Sequence, residues 1–107
     1  MSKITITYNK VEYDLSYTRQ TIKTMESQGF DLNELASKPA TMIPMLFEGA
    51  FMRFNRGIKR SLMDEIWEDI KDKSGLIGAL AELYSETLST LIGDNEAEGN
   101  ATWVMVK

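Results

Sequence analysis

The chain has 107 residues, of which 43% are hydrophobic and 26% are charged, and it contains neither cysteine nor histidine. This length suits one domain with a core of modest size. The two missing residue types exclude disulfides, cysteine nucleophiles and the thiolate or imidazole ligands of most zinc sites, so carboxylates are the remaining candidates for catalysis or metal binding.

Residues 3–17 are predicted to form a β-hairpin. Apolar and polar residues alternate over Lys3–Tyr8 and again over Val11–Leu15, and the intervening Asn9-Lys10 supplies a two-residue turn of type I′. In this register three apolar pairs share one face of the hairpin: Tyr8/Val11, Ile6/Tyr13 and Ile4/Leu15. A lone hairpin is only marginally stable, so helices or another chain must cover that face.

Four helices are predicted after the hairpin, over about residues 19–28, 42–54, 62–72 and 76–92. Thr18 is the predicted N-cap of the first helix, and Ser61 that of the third. Glycines are predicted to end the first and the fourth helix at Gly29 and Gly93. The inward face predicted for the fourth helix consists of six residues: Ile77, Leu80, Ala81, Tyr84, Leu88 and Leu91.

The predicted helix over residues 42–54 is apolar on nearly all sides. Six of its residues form a stripe at helical spacing: Ile43, Leu46, Phe47, Ala50, Phe51 and Phe54. Three methionines lie off this stripe: Met42, Met45 and Met52. Pro44 falls in the predicted first turn, where its missing N–H breaks no hydrogen bond. Such a helix is either the centre of the core or partly exposed at an interface, and both can hold for different faces.

The formal net charge of −4 is unevenly distributed. Residues 1–63 carry nine Lys or Arg against six Asp or Glu, whereas residues 64–98 carry two against ten. Four basic residues fall within eight positions: Arg53, Arg56, Lys59 and Arg60. They form either a solvated helix connection or a site for phosphate or an acidic protein, and of these two ligands an acidic protein surface is favoured, including the acidic half of a second copy. A basic patch beside an acidic half weighs against nucleic-acid binding.

The candidate partner-binding residues are therefore the apolar members of the 42–54 segment, the basic cluster and one residue of the tail. In chain order they are Met42, Met45, Phe47, Phe51, Met52, Arg53, Phe54, Arg56, Lys59, Arg60 and Trp103. Trp103 can belong to a core strand, dock on a partner or stay disordered.

No catalytic, metal or cofactor site is predicted. Four acidic residues of the third helix recur at helical spacing, opposite its apolar face: Glu65, Glu68, Asp69 and Asp72. This spacing places them in water rather than in a pocket. Asp94, Glu96 and Glu98 alternate like part of a calcium loop, but the remaining ligands of that pattern are missing.

Residues 1–93 are predicted to form a single α+β domain, in which the hairpin packs against a bundle of about four helices. Residues 94–107 are predicted to be an acidic linker and a β-prone tail. No stretch approaches the roughly 20 apolar residues of a membrane span. The N-terminus lacks the apolar run of a signal peptide, so we expect the protein to stay in the compartment where it is made.

Three parts of the sequence carry a resemblance: the hairpin strands Ile4–Tyr8 and Glu12–Leu15, the run Thr18–Phe30, and Lys38–Pro44 with the Leu46-Phe47 and Gly49-Ala50-Phe51 that follow. In pattern and order, over roughly residues 3–92, they resemble small tail proteins of Gram-positive phages and prophages with long non-contractile tails. These proteins are encoded next to the tape-measure protein and are regarded as tail assembly chaperones.

The resemblance implies a non-enzymatic protein in the cytoplasm of the bacterial host. Such a chaperone binds the tape-measure protein, coats its long hydrophobic helix and recruits subunits of the major tail protein. We also expect a homo-oligomer, formed through the apolar 42–54 segment. The first alternative is a structural tail or head–tail joining protein that remains in the virion. The second is a small regulatory nucleic-acid-binding protein that uses Arg53–Arg60.

Overall fold

The computed structural model describes residues 3–91 and 104–106. An N-terminal two-stranded antiparallel hairpin is followed by four helices that pack together, which confirms the predicted α+β fold class. The elements are, in chain order, β1 (Ile4–Tyr8), β2 (Val11–Leu15), α1 (Arg19–Ser27), a short 3-10 helix (Leu32–Glu34), α2 (Pro39–Phe51), α3 (Arg60–Asp69) and α4 (Lys73–Ser89).

The hairpin has the predicted register, with Ile4 opposite Leu15 and Ile6 opposite Tyr13. Asn9 and Lys10 adopt φ values of 50° and 66°, as both central residues of a type I′ turn require. Ile6 and Leu15 are buried. The apolar face of the hairpin therefore packs into the core, as the alternation of residue types predicts.

Helix α1 begins at the predicted residue and ends one residue before the predicted end. The Oγ1 atom of Thr18 accepts a hydrogen bond from the backbone N–H of Thr21 at 3.0 Å, which caps the helix. Gly29 follows the helix with φ at +99°, a conformation that glycine adopts without steric cost. Ile22 and Met25 are the buried residues of this helix.

Helix α2 begins and ends three residues earlier than predicted. Pro39 occupies the start of the helix, where proline is favoured because no N–H is needed there. Pro44 therefore lies inside α2, and its predicted place in the first turn is wrong. The carbonyl of Ala40 loses its helical donor, but Ala40 and Pro44 are both exposed and water can reach it.

Helices α3 and α4 also begin earlier than predicted. Lys59 holds the N-cap position of α3 without a side-chain hydrogen bond, so the predicted cap at Ser61 is wrong. Asp72 does not continue the acidic stripe of α3. Its carboxylate instead accepts a hydrogen bond from the Gly75 N–H at 3.0 Å and caps α4. The predicted stop at Gly93 lies outside the described residues.

The core lies where the helices meet the hairpin, and aromatic rings fill much of it. The ring of Tyr84 on α4 lies edge-on to Tyr17 and Phe30, with ring centroids 5.3 and 5.1 Å apart. Leu83 and Thr87 of α4 are buried although the predicted inward face omits them. Leu91, predicted to face inward, follows the end of α4 and is exposed.

The described part of the C-terminal tail, residues 104–106, is exposed and belongs to neither a helix nor a strand. The predicted domain boundary near residue 93, the acidic linker and Trp103 lie outside the described residues. Within the part of the chain that is described, no helix has the length and apolar character needed to cross a membrane.

Candidate partner-binding cleft

A cleft with a volume of about 880 Å³ lies between α1, the C-terminal half of α2, the α2–α3 connection and the start of α3. Four of the seven methionines of the chain line it: Met25, Met45, Met52 and Met63. Met25 and Met63 are buried and form the base, whereas Met52 is 40% exposed. Methionine is flexible and polarisable, so this base can adapt to apolar side chains of different shapes.

Gly49 brings α1 and α2 together at the base of the cleft. The Sδ atom of Met25 lies only 2.5 Å from where a Cβ atom on residue 49 would stand. No side chain larger than hydrogen fits at this position unless Met25 moves. The two helices approach closely here because α2 has a glycine where Met25 of α1 crosses it.

The wall formed by α1 and the two residues that flank it is polar and uncharged. It consists of Thr18, Gln20, Thr21, Thr24 and Gln28. The hydroxyls of Thr18 and Thr21 are hydrogen-bonded to each other at 2.8 Å. Gln20, Thr24 and Gln28 are exposed, so their side chains can offer hydrogen bonds to a bound molecule.

The opposite wall is basic. It carries Arg53, Arg56 and Arg60, together with Glu48 of α2. The Nε atom of Arg60 lies 3.3 Å from the Oε1 atom of Glu48. The guanidinium of Arg53 stacks over the ring of Phe54 at 4.9 Å from its centroid. Among the described residues, three arginines and one carboxylate therefore line this wall.

The structure places some of the predicted partner-binding residues in the core and others at the surface. Met42, Phe47 and Phe51 are core residues, each less than 5% exposed, so they contact no partner while the domain is folded. Met42 was expected off the buried stripe. It is buried because the chain after α1 folds back over it, which brings the N–H of Asp31 to 3.5 Å from its sulfur.

Five of the predicted residues come together in the cleft: Met45, Met52, Arg53, Arg56 and Arg60. Phe54 and Lys59 are exposed but do not line it. Sequence reasoning missed the α1 wall and the two buried methionines. Threonine and glutamine on a helix have no pattern that separates a cleft wall from an ordinary solvated face. Gly49 is the available signal, since a glycine within an apolar helix allows a neighbouring element to approach closely.

The acidic face of α3 lies apart from the cleft. Glu65, Glu68 and Asp69 are exposed, and the described residues contain no group of three or more Asp, Glu, His or Cys that could hold a metal ion. Partial burial, together with the nearby charges of Glu65 and Asp69, raises the pKa of Tyr8 at the end of β1. This face is therefore a charged surface whose field reaches the end of the hairpin.

The chain is thus a small α+β domain with a cleft on its helical part. Residues 1–106 match the family described as "Domain of unknown function (DUF5055)", and the chain belongs to this family. No curated protein and no solved structure matches the chain.

Proposed function

We propose that the protein is a non-enzymatic tail assembly chaperone of a phage or prophage, which binds the tape-measure protein and recruits major tail protein during assembly. The resemblance of residues 3–92 to such proteins supports the class. The observation that carries the binding role is the cleft with its methionine base. A chaperone of a long apolar helix needs an adaptable apolar surface, and methionine supplies one.

The cleft is small compared with a long helix, since its volume is about 880 Å³. One copy would thus cover a small part of a long client, and several copies along the client would coat it. The proposal also includes self-association of the chain and its location in the cytoplasm of the host.

The test is co-expression with fragments of a tape-measure protein, which the proposal expects to be encoded beside this gene. We expect the fragments to co-purify with the chain and to become more soluble. Met45→Asp and Met52→Asp should each weaken co-purification at least severalfold, because a carboxylate in the cleft would lose hydration when an apolar helix covers it. Val11→Asp is the matched control, since Val11 is 49% exposed and does not line the cleft.

The proposal fails if the fragments neither co-purify nor gain solubility. Mass spectrometry of purified virions distinguishes the first alternative, because an assembly chaperone leaves before the tail is finished and a structural protein remains. Salt-dependent binding of the chain to DNA would instead favour the nucleic-acid-binding alternative.

A further inference from the structure

The outer edge of β1 carries backbone groups that the domain does not pair. In a hairpin closed by a two-residue turn, the residues of β1 that are hydrogen-bonded to β2 are Ile4, Ile6 and Tyr8. The backbone N–H and C=O groups of Thr5 and Thr7 therefore point away from β2. They have no hydrogen-bond partner among the described residues, and both threonines are exposed.

The outer edge of β2 differs, because the end of α2 and the residues after it cover part of it. The Ser16 N–H donates to the Ala50 carbonyl at 3.0 Å, and the Asp14 carbonyl accepts a hydrogen bond from the Asn55 amide at 2.8 Å. β2 also carries the carboxylates of Glu12 and Asp14, and charged side chains commonly protect a sheet edge from other strands. β1 has no charged residue and no proline, so its edge lacks this protection.

We propose that two copies of the chain pair through the outer edges of their β1 strands, antiparallel about a two-fold axis beside Ile6. In this register Thr5 of one copy is opposite Thr7 of the second copy, and each such pair exchanges two backbone hydrogen bonds. The two hairpins thereby join into one sheet of four strands. This contact deepens the self-association included in the proposed function and rests on that part of it alone.

The same register matches the side chains of the two copies. On the apolar face, Ile6 is opposite Ile6 of the second copy and Ile4 is opposite Tyr8 of the second copy. Pairs of β-branched and aromatic residues stabilise a sheet, as do the threonine pairs on the polar face. Lys3 is opposite Asn9 of the second copy, so no like charges meet. The edge is therefore complementary to itself, as a two-fold contact requires.

Other partners fit this edge or this role less well. The sequence favours residues 42–54 for self-association, but Phe47 and Phe51 of that segment are buried in their own domain. The exposed tail residues 104–106 are apolar at three successive positions. Since successive residues of a strand face opposite ways, the tail would bring apolar side chains to the polar face of the hairpin as well.

The experiment measures the oligomeric state of the full-length chain by analytical ultracentrifugation. An edge contact between two five-residue strands is smaller than the roughly 1,200 Å² of a standard interface, so we expect a weak dimer with a Kd of about 10–100 μM. Samples from about 1 to 500 μM cover this range, because the dimer fraction depends on concentration.

Thr7→Pro is the variant that blocks the edge. The Thr7 N–H points away from β2, so the hairpin keeps its own hydrogen bonds while each copy loses one donor to the other. We expect the Kd of the dimer to rise at least tenfold. Glu12→Pro is the matched control, since Glu12 is opposite Thr7 and its N–H points outward on the β2 side. This control should dimerise like the unmodified chain.

A distance measurement tests the inference even if Thr7→Pro fails to fold. The chain has no cysteine, so Glu12→Cys provides a single exposed position for a nitroxide label. In the proposed dimer the two labelled residues are three strand spacings apart with an offset of two residues, which places their Cα atoms about 16 Å from each other. Double electron–electron resonance should therefore give a distance below about 30 Å once the length of the labels is included.

A chain that stays monomeric over the whole concentration range would overturn the inference, and so would a label distance beyond about 30 Å. It also fails if Glu12→Pro dissociates the dimer as strongly as Thr7→Pro does. Dissociation by Val104→Asp/Val106→Asp would likewise contradict it, since the exposed tail would then make the contact.

The residues of β1 do not line the cleft, so the dimer and client binding are tested separately. Thr7→Pro should still co-purify with tape-measure fragments. If the unmodified chain is monomeric while the fragments co-purify, this inference fails and the chaperone function stands. If the dimer forms as described and no fragment co-purifies, the chaperone function fails and the pairing of β1 stands.

Discussion

Tyr17, which lies between β2 and α1, is hydrogen-bonded through its polar atoms to both α2 and α4. Its side chain is fully buried, and its hydroxyl donates a 2.6 Å hydrogen bond to the backbone carbonyl of Leu46 in α2. Its own carbonyl accepts a hydrogen bond of 3.4 Å from the Oγ1 atom of Thr87 in α4. Burial raises the pKa of Tyr17 far above its usual value, and burial raises that of its neighbour Tyr84 to about 12.

The first prediction concerns this hydroxyl. Tyr17→Phe should lower the free energy of unfolding by about 1–2 kcal/mol, because the buried hydrogen bond to the Leu46 carbonyl is lost. Urea denaturation at neutral pH measures the change. Tyr13→Phe is the control, since Tyr13 is only half-buried and its hydroxyl has no hydrogen-bond partner among the described residues. A loss as large in the control would contradict the prediction.

Single residues could be predicted where the cause is local. The Thr18 cap follows from a threonine placed just before an apolar helical pattern, and the structure confirms it. Ser61 has the same chemistry but lies inside α3, because the helix begins at Arg60. Met42 could not be assigned to the core from spacing alone, since the chain that covers it comes from a different part of the sequence.

At the scale of elements, the outward face of the hairpin is held by contacts of Asp14. The carboxylate accepts a hydrogen bond from the Thr5 hydroxyl at 2.8 Å and another from the Lys3 ammonium at 3.1 Å. These bonds, that of Thr5 first, lower the pKa of Asp14 below its usual value. The polar face of the hairpin therefore stabilises the pairing of its strands through a charged group.

The second prediction is a pH dependence that follows from this contact. Because the folded-state pKa of Asp14 is lowered, its stabilisation is present above the ordinary carboxyl pKa of about 4 and is lost as the pH falls through the folded-state value. Asp14→Asn should therefore be less stable than the unmodified chain at about pH 7 and equally stable at about pH 2. Urea denaturation at both pH values measures this, and an equal difference at both would contradict it.

The hairpin was the most predictable element and the helix boundaries the least. Two-residue alternation and a two-residue turn together fix one register, so every pair of the ladder followed from the sequence. Pro39 is compatible with two roles, since proline can end one helical segment and also favours the first position of the next helix, which it occupies in α2. Asp72 likewise suited two roles, as the end of one helical stripe and as the cap of the next helix.

At the scale of the whole molecule, α2 is the element on which the others pack. Its buried side contacts the core. Its C-terminal end is hydrogen-bonded to the residue that follows β2, since the Ser16 N–H donates to the Ala50 carbonyl at 3.0 Å. The Asn55 amide adds a 2.8 Å hydrogen bond to the Asp14 carbonyl. Met45 and Met52 lie on the other side of α2, in the cleft.

The third prediction contrasts these two sides of α2. Phe47 is 3% exposed and its ring centroid lies 5.0 Å from those of both Phe51 and Trp67. Phe47→Asp should unfold the domain, because a lost core aromatic costs about 3–5 kcal/mol and the buried carboxylate adds to that. Met52→Asp should change stability by less than about 1 kcal/mol. Circular dichroism and urea denaturation compare the two.

If Met52→Asp also unfolded the domain, α2 would have no side available to a partner. The α2 side of the cleft could be predicted, since methionines off a complete apolar stripe indicate a second apolar face. Its α1 side depends on which helix crosses α2, and a local pattern does not contain that information. The sequence therefore predicted the α2 side of the cleft but not its α1 side.

The contact between Gly49 and Met25 also limits how the family can change. Any side chain at position 49 would meet the Met25 sulfur, so a substitution there is tolerated only when residue 25 becomes shorter or turns away. A side chain at position 49 therefore alters the base of the cleft by displacing the Met25 thioether, whereas a shorter residue at position 25 removes this constraint. In evolutionary terms, which residue is tolerated at position 49 depends on which residue stands at position 25.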